Sequence, residues 1–231
     1  MRLQIFRFPL LCLGTWAMML MMTAPADAQI ISIDANMSAS TESLGNFTGS
    51  ISYVDTNATS GKLTISLTNT SATSGYLTGF VFNVHEPVNV SLSNVTLSAT
   101  DTNFSLLGSS PYQGGVSASP FGSFDLGAAL GGDFQGGGSP NGGLAQNASG
   151  TFTFTLTGSS LNTLTTSDFV SKTTDNQFFV ARFRGFSGGG SDAVPASLVG
   201  GAVPEPSSLL LLGVGGLGVT AVLRRRLRRA G

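Results

Sequence analysis

Charge is scarce in this chain. Asp, Glu, Lys and Arg make up only 10% of its 231 residues, against about a quarter in ordinary soluble domains. A composition with 31 glycines and a dense scatter of Ser and Thr fills the gap, as in extracellular β-proteins rather than cytosolic enzymes. Most of the cations sit at the ends: Arg2 and Arg7 at the start, and Arg224, Arg225, Arg226, Arg228 and Arg229 at the finish. Between residues 29 and 203 only Lys62, Lys172, Arg182 and Arg184 remain against ten acids, a net charge near −6. Such a surface excludes a nucleic-acid partner, which needs a cationic face.

Cysteine, histidine and tryptophan occur once each, as Cys12, His85 and Trp16. Cys12 and Trp16 lie in an N-terminal segment expected to be removed. The mature chain then has no disulfide framework, no thiol nucleophile and no cysteine metal site. A single histidine excludes histidine-based zinc. His85 is followed by Glu86 and Pro87 at a strand end, where adjacent side chains point to opposite faces and cannot form half of a catalytic triad. A glycosidase needs two carboxylates about 5–10 Å apart in a cleft, whereas the acids here are scattered at turn-like positions. The inventory predicts a protein that is not an enzyme and has no cofactor. Calcium alone is left open: Gly188-Gly189-Gly190-Ser191-Asp192-Ala193-Val194 resembles one copy of a calcium-binding glycine–aspartate repeat, and Asp133 also sits among glycines. Such repeats work as arrays, and a hard cation needs several oxygens.

Both ends carry addresses. At the start, Arg2 and Arg7 precede the apolar stretch Leu10 to Met22, and Ala26-Asp27-Ala28 offers a small-x-small cleavage site. Residues 1–28 therefore read as a secretory signal peptide, handled by the Sec system and signal peptidase and cut after Ala28. At the finish stand Val203-Pro204-Glu205-Pro206, an apolar run over 207–223, and the arginine cluster. The run spans roughly 25 Å as a helix, at the lower limit for a single transmembrane helix, and the arginines belong on its cytoplasmic side. The two prolines fix φ and keep their predecessors out of the helical region, so the motif is held extended above the membrane.

This three-part ending, residues 203–229, resembles the PEP-CTERM sorting signal of Gram-negative bacteria, a module also labelled an ice-binding-protein C-terminal domain. The resemblance implies that exosortase, a membrane-embedded cysteine transpeptidase, cuts near the Pro-Glu-Pro. It also implies export and transient anchoring in the inner membrane with the domain outside the cytoplasm. Transfer to the cell surface or release follows, in an exopolysaccharide or biofilm setting. The runs Leu63 to Ser71, Phe121-Gly122-Ser123-Phe124-Asp125-Leu126-Gly127 and Arg182-Phe183-Arg184-Gly185-Phe186 resemble, more loosely, a recurring middle domain of such proteins, which brings no assigned activity.

The intervening region, 29–187, has a period of two. Leu63, Ile65 and Leu67 alternate with Lys62, Thr64, Ser66 and Thr68; Phe152, Phe154 and Leu156 alternate with Thr151, Thr153, Thr155 and Thr157. Phe80 and Phe82, and Phe179, Ala181 and Phe183, show the same rhythm. The phase changes between Leu92 and Val95, which predicts a bulge or tight turn at Ser93-Asn94. Thr166-Ser167-Asp168 suits the cap of a short helical turn. About eight or nine short strands predict an all-β fold, an antiparallel β-sandwich with a jelly-roll-like arrangement open to it. Gly-rich loops near 108–150 carry Phe121, Phe124, Leu126 and Phe134 as packing anchors, so ordered loops are expected there. Residues 188–202 read as a flexible tether.

Three surface features complete the reading. Asn-x-Ser/Thr occurs eight times, and Asn36, Asn57 and Asn103 each have an aspartate two residues earlier, the form that bacterial N-glycosylation prefers; turn composition explains the same residues. The ladder Thr151, Thr153, Thr155 and Thr157 has the form of an ice-binding array, but one such strand is only amphipathic. Tyr53, Tyr76 and Tyr112 are the polar-tipped aromatics left for a sugar-binding face. The expected function is that of a non-enzymatic, exported surface or matrix protein, structural or adhesive, with exopolysaccharide as a partner. A carbohydrate-binding module or adhesin is the rival, and a secreted hydrolase the third option.

Overall fold

A computed structural model describes residues 29–100, 103–171 and 177–200. The signal segment with Ala26 and Ala28, the motif at 203–206, the apolar run 207–223 and the arginine cluster lie outside the described residues. Among the described residues no helix is long and apolar enough to cross a membrane.

Alternating apolar and hydroxyl residues produce twelve strands: β1 (Ile30–Ala35), β2 (Phe47–Asn57), β3 (Ser60–Asn69), β4 (Tyr76–Phe82), β5 (Ser91–Ala99), β6 (Phe104–Leu107), β7 (Val116–Ser117), β8 (Ser123–Phe124), β9 (Leu126–Leu130), β10 (Ser149–Ser159), β11 (Phe179–Arg184) and β12 (Ser191–Leu198). Ten of them form one sheet in the order β5-β10-β3-β2-β1-β12-β11-β4-β9-β6, while β7 and β8 pair separately. All pairings are antiparallel. The expected bulge is present: Thr157 pairs with Asn94 and Gly158 with Leu92, so Ser93 is the extra residue. The turn at Thr166 is a 3₁₀ helix, Thr166–Phe169, with Thr165 and Asp168 forming a capping box.

The sheet folds over at β12. Residues 191–195 of that strand pair with β11 and residues 196–198 with β1. Pro195 marks the change of partner, a place where its missing N–H is tolerated. The two halves then face each other across a phenylalanine core. Phe80 meets Phe152 at 4.7 Å and Phe154 at 6.2 Å between ring centroids, and Phe82 meets Phe154 at 5.1 Å. These edge-on pairs add about 0.5–1.5 kcal/mol each beyond burial. Phe104 of β6 closes on Phe152 at 4.9 Å, and the end strands β5 and β6 touch. The result is an all-β, antiparallel and nearly closed barrel.

The outer side of the β12-β11-β4-β9 half is covered as well. Val81, Ala129, Val180 and Ala193 form a second apolar cluster with Phe124 and Phe134, and Phe121 packs against it. The covering layer is drawn from the Gly-rich stretch, ordered as expected, with Phe124 and Phe134 buried in it, while Leu126 of β9 points into the main core. Arg184 pins it by donating to the carbonyls of Gly136 (3.2 Å), Gly137 (3.3 Å) and Gly138 (3.4 Å). Gly136 and Gly138 have φ of 72°, a conformation that glycine adopts without strain.

The tether is corrected. Most of the 188–202 stretch is strand β12, so the domain runs past residue 187. Ala193, Val194 and Ala196 are buried in it, and Asp192 is fully buried. Small side chains, a proline and three preceding glycines gave that strand the composition of a linker.

Candidate functional site

The polar groups singled out by sequence are dispersed and mostly structural. His85 is exposed, and its backbone N–H donates to the Asp168 carbonyl at 2.8 Å. Glu86 accepts from Gln113 Nε2 at 3.1 Å. Asp125 accepts from the Val84 N–H at 2.7 Å and the Gly114 N–H at 2.6 Å, which staples a Gly-rich loop to the end of β4. Burial pushes its carboxyl pKa up, against the pull of those two N–H groups.

Asp192, whose single glycine–aspartate run left calcium open, is engaged by a ring of protein donors. Its two oxygens accept from Ser40 Oγ (2.7 Å), Thr41 Oγ1 (2.8 Å) and the N–H groups of Glu42 (3.0 Å), Leu44 (2.8 Å) and Gly45 (2.9 Å). Burial raises its pKa, but the bonds from Gly45, Ser40, Thr41 and Leu44 outweigh burial and hold the carboxyl below its ordinary range. A carboxylate ringed by donors is closed to a cation. Asp133 is exposed and accepts from the Gln135 N–H at 2.9 Å. Among the described residues no group of three or more His, Cys, Asp or Glu is placed to hold a metal ion.

Among the described residues the three tyrosines offer no stacking platform. Tyr53 and Tyr112 are 5% and 6% exposed. Tyr53 donates to the Leu161 carbonyl at 2.9 Å, and Tyr112 Oη accepts from the Val95 N–H at 3.0 Å. Tyr76 is half-buried. The asparagines of interest sit in turns. Asn36 Oδ1 accepts from Ser38 Oγ at 2.7 Å, Asn57 Oδ1 accepts from the Thr59 N–H at 2.8 Å, and Asn103 Nδ2 reaches the Gly142 carbonyl at 3.5 Å.

What the structure does assemble is a hydroxyl surface. The threonine ladder of β10 is one of several, because every strand from β5 to β1 turns Ser or Thr outward and the registers align. One row across the sheet is Ser98, Thr153, Thr64 and Ser52. The next is Thr151, Ser66, Ser50 and Ser32, and a third is Ser149, Thr68, Thr48 and Asp34. This corrects the reading of an isolated amphipathic strand. The signal was visible as Ser/Thr at alternate positions of each strand; only the pairing was missing. Among the described residues, hydroxyls bond across strands in three places: Thr68 with Ser149 at 2.8 Å, Ser66 with Thr151 at 3.3 Å and Ser91 with Ser159 at 3.0 Å.

The second and third rows line a hollow of about 480 Å³, joined by Val199. Between them runs the row Ile33, Gly49, Leu67 and Gly150, in which two of the four residues lack an inward side chain. Glycine at such positions lets a sheet bend. Asp34 is the one charged residue of the lining.

The family model of the PEP-CTERM protein-sorting motif matches residues 202–226. No curated protein matches the chain, and no solved structure does.

Proposed function

We propose that this chain, which carries a PEP-CTERM protein-sorting motif at residues 202–226, is an exosortase-sorted protein of the cell surface or extracellular matrix. In this reading it is non-enzymatic, structural or adhesive, and works among exopolysaccharides. The sorting motif is the observation that carries the proposal. The fold is consistent with it at both ends. Strand β1 starts at Ile30, two residues after the expected cleavage at Ala28. At the other end β12 stops at Leu198, just ahead of the motif. Both ends leave from one place, since Ile33 pairs with Leu198. Sec export and signal peptidase place the domain outside, the apolar run 207–223 holds it in the inner membrane, and exosortase removes that run. The nearly closed barrel is then a flattened, sandwich-like body with a jelly-roll-like course.

The test is a pair of cultures, one with exosortase deleted. The chain is expected to shift to the larger, uncut size and to stay with the inner membrane in the deleted strain. Unchanged size and location would overturn the sorting reading. The hydroxyl surface favours a second reading, a carbohydrate-binding module or adhesin.

A further inference from the structure

We infer that the hollow on the outer face of β1, β2, β3 and β10 binds a neutral hexose polysaccharide through side-chain hydroxyls. The inference deepens the matrix-protein reading by naming a site and a ligand class. It depends on that reading only for where the polymer comes from.

The depression, about 480 Å³, is shallow and open, a shape for a polymer lying across the sheet rather than for a small molecule enclosed in a cleft. Ser32, Thr48 and Ser50 present hydroxyls there that make no side-chain hydrogen bond among the described residues, while Thr68 and Ser66 are paired to β10. A hydroxyl donates once and accepts twice, so this lining matches a ligand that is itself dense in hydroxyls. Charge narrows the class. Among the described residues no cation lines the hollow and Asp34 is its one anion, so sulfated, phosphorylated or uronic-acid polymers meet repulsion without a partner. The Asp34 carboxylate accepts from two neighbouring sugar hydroxyls, a charge-assisted pair of bonds. The lining is mixed, with hydroxyl oxygens set among exposed carbon, which suits a ligand that presents both O–H and C–H faces, as a sugar does. Val199, 43% exposed, supplies the small apolar contact that a sugar's C–H face needs.

The rival for a hydroxyl lattice is ice. Neighbouring strands are about 4.8 Å apart and alternate residues about 6.7 Å apart, so the rows do repeat in two directions. Strands in a sheet turn by about 20–25° each, and five strands therefore rotate by roughly 80–100°. A crystal face requires a plane, whereas a flexible polymer follows a twisted and hollowed surface.

The experiment is affinity electrophoresis of the full chain, purified in detergent, through gels containing dextran, hydroxyethylcellulose or galactomannan, with alginate as the anionic control. Retardation is expected in at least one neutral gel and not in alginate. Asp34→Ala, and separately Thr48→Val with Ser50→Val, should weaken it about tenfold. Thr155→Val, outside the hollow, should leave it unchanged. All these positions face outward, and unchanged melting temperatures certify the fold. No retardation in any neutral gel, or retardation indifferent to both hollow variants, overturns the inference. So does thermal hysteresis lost in the same variants, which would assign the face to ice. Because the gels do not involve export, failure here and failure in the exosortase-deleted cells are separable results.

Discussion

Replacing Asp192 by alanine removes an acceptor shared by five of the six residues 40–45 over the edge of the core. Five groups donate to it, at 2.7–3.0 Å. Summing them at about 1.5–3 kcal/mol per charge-assisted bond would overstate the loss, because Ser40, Thr41 and Glu42 reach water once the carboxylate is gone. The Gly45 N–H is buried and that of Leu44 partly so. Stranding these two, at about 1–3 kcal/mol each, sets the expected destabilisation at about 2–6 kcal/mol. At about 2–4 °C per kcal/mol for a domain of this size, the melting temperature should fall by roughly 10 °C. Asp192→Asn should lose more than half as much, since its amide turns a donor toward donors. Ser40→Ala should lose about 1 kcal/mol. Urea and thermal unfolding of the full chain in detergent measure all three. Acid gives an independent check. The folded carboxyl pKa is depressed, so its stabilisation is complete above the unfolded value of about 3.9 and fades as pH falls through the lower folded value. The gap between wild type and Asp192→Ala should stay level from pH 5 to 8 and narrow below about pH 4. A loss under about 1 kcal/mol at pH 7, or a gap unchanged in acid, would refute the clamp.

Two further outcomes follow from the same structure. Burial, then the charge of Asp55, pushes the Tyr53 hydroxyl up to about 12. Its raised pKa stabilises the fold fully below the unfolded value of about 10 and the contribution is lost as pH climbs from there toward 12. Ultraviolet titration should therefore show a late-ionising tyrosine that disappears in Tyr53→Phe, and a titration unchanged by that substitution above about pH 11 would contradict it. Deleting residues 200 and 201 removes up to about 7 Å of reach between β12 and the motif, so processing in exosortase-positive cells should slow severalfold. Wild-type cleavage of that deletion in a pulse-chase would show that the linker is not limiting.

Periodicity made the strands legible, since a period of two with phenylalanine on one side leaves few alternatives to a half-buried strand. The Ser93 bulge was readable because a phase change must be absorbed somewhere. Two features were not readable, for related reasons. Strand β12 hides behind glycines and a proline because its stability comes from non-local partners, Val180 to Arg184 on one side and Ile33 to Ala35 on the other, and from loop donors about 150 positions away in sequence. Val81 and Val180 alternate with the core-facing Phe80, Phe82, Phe179 and Ala181, yet both are fully buried, because a glycine-rich layer covers them and glycine leaves no apolar pattern. The hydroxyl surface lies between these cases. Each strand declares its Ser and Thr, but only the registers turn five ladders into one face.

Counting strand β12 out of the tether changes the geometry around the sorting motif. About eight residues separate Val199 from the start of the apolar run at 207, at most roughly 25–30 Å when fully extended. The hollow lies at that same end of the domain, because Val199 and Ser32 line it and the Val199 N–H donates to the Ser32 carbonyl at 3.0 Å. In the proposed reading the uncut protein therefore holds its hydroxyl face near the bilayer, where a long polymer has little room to approach. Cutting at Pro204-Glu205-Pro206 lifts that restriction without any change in the fold. Sorting and binding would then be coupled by chain length alone: the short linker that presents the motif to a membrane protease also keeps the binding face close to the membrane until the cut is made.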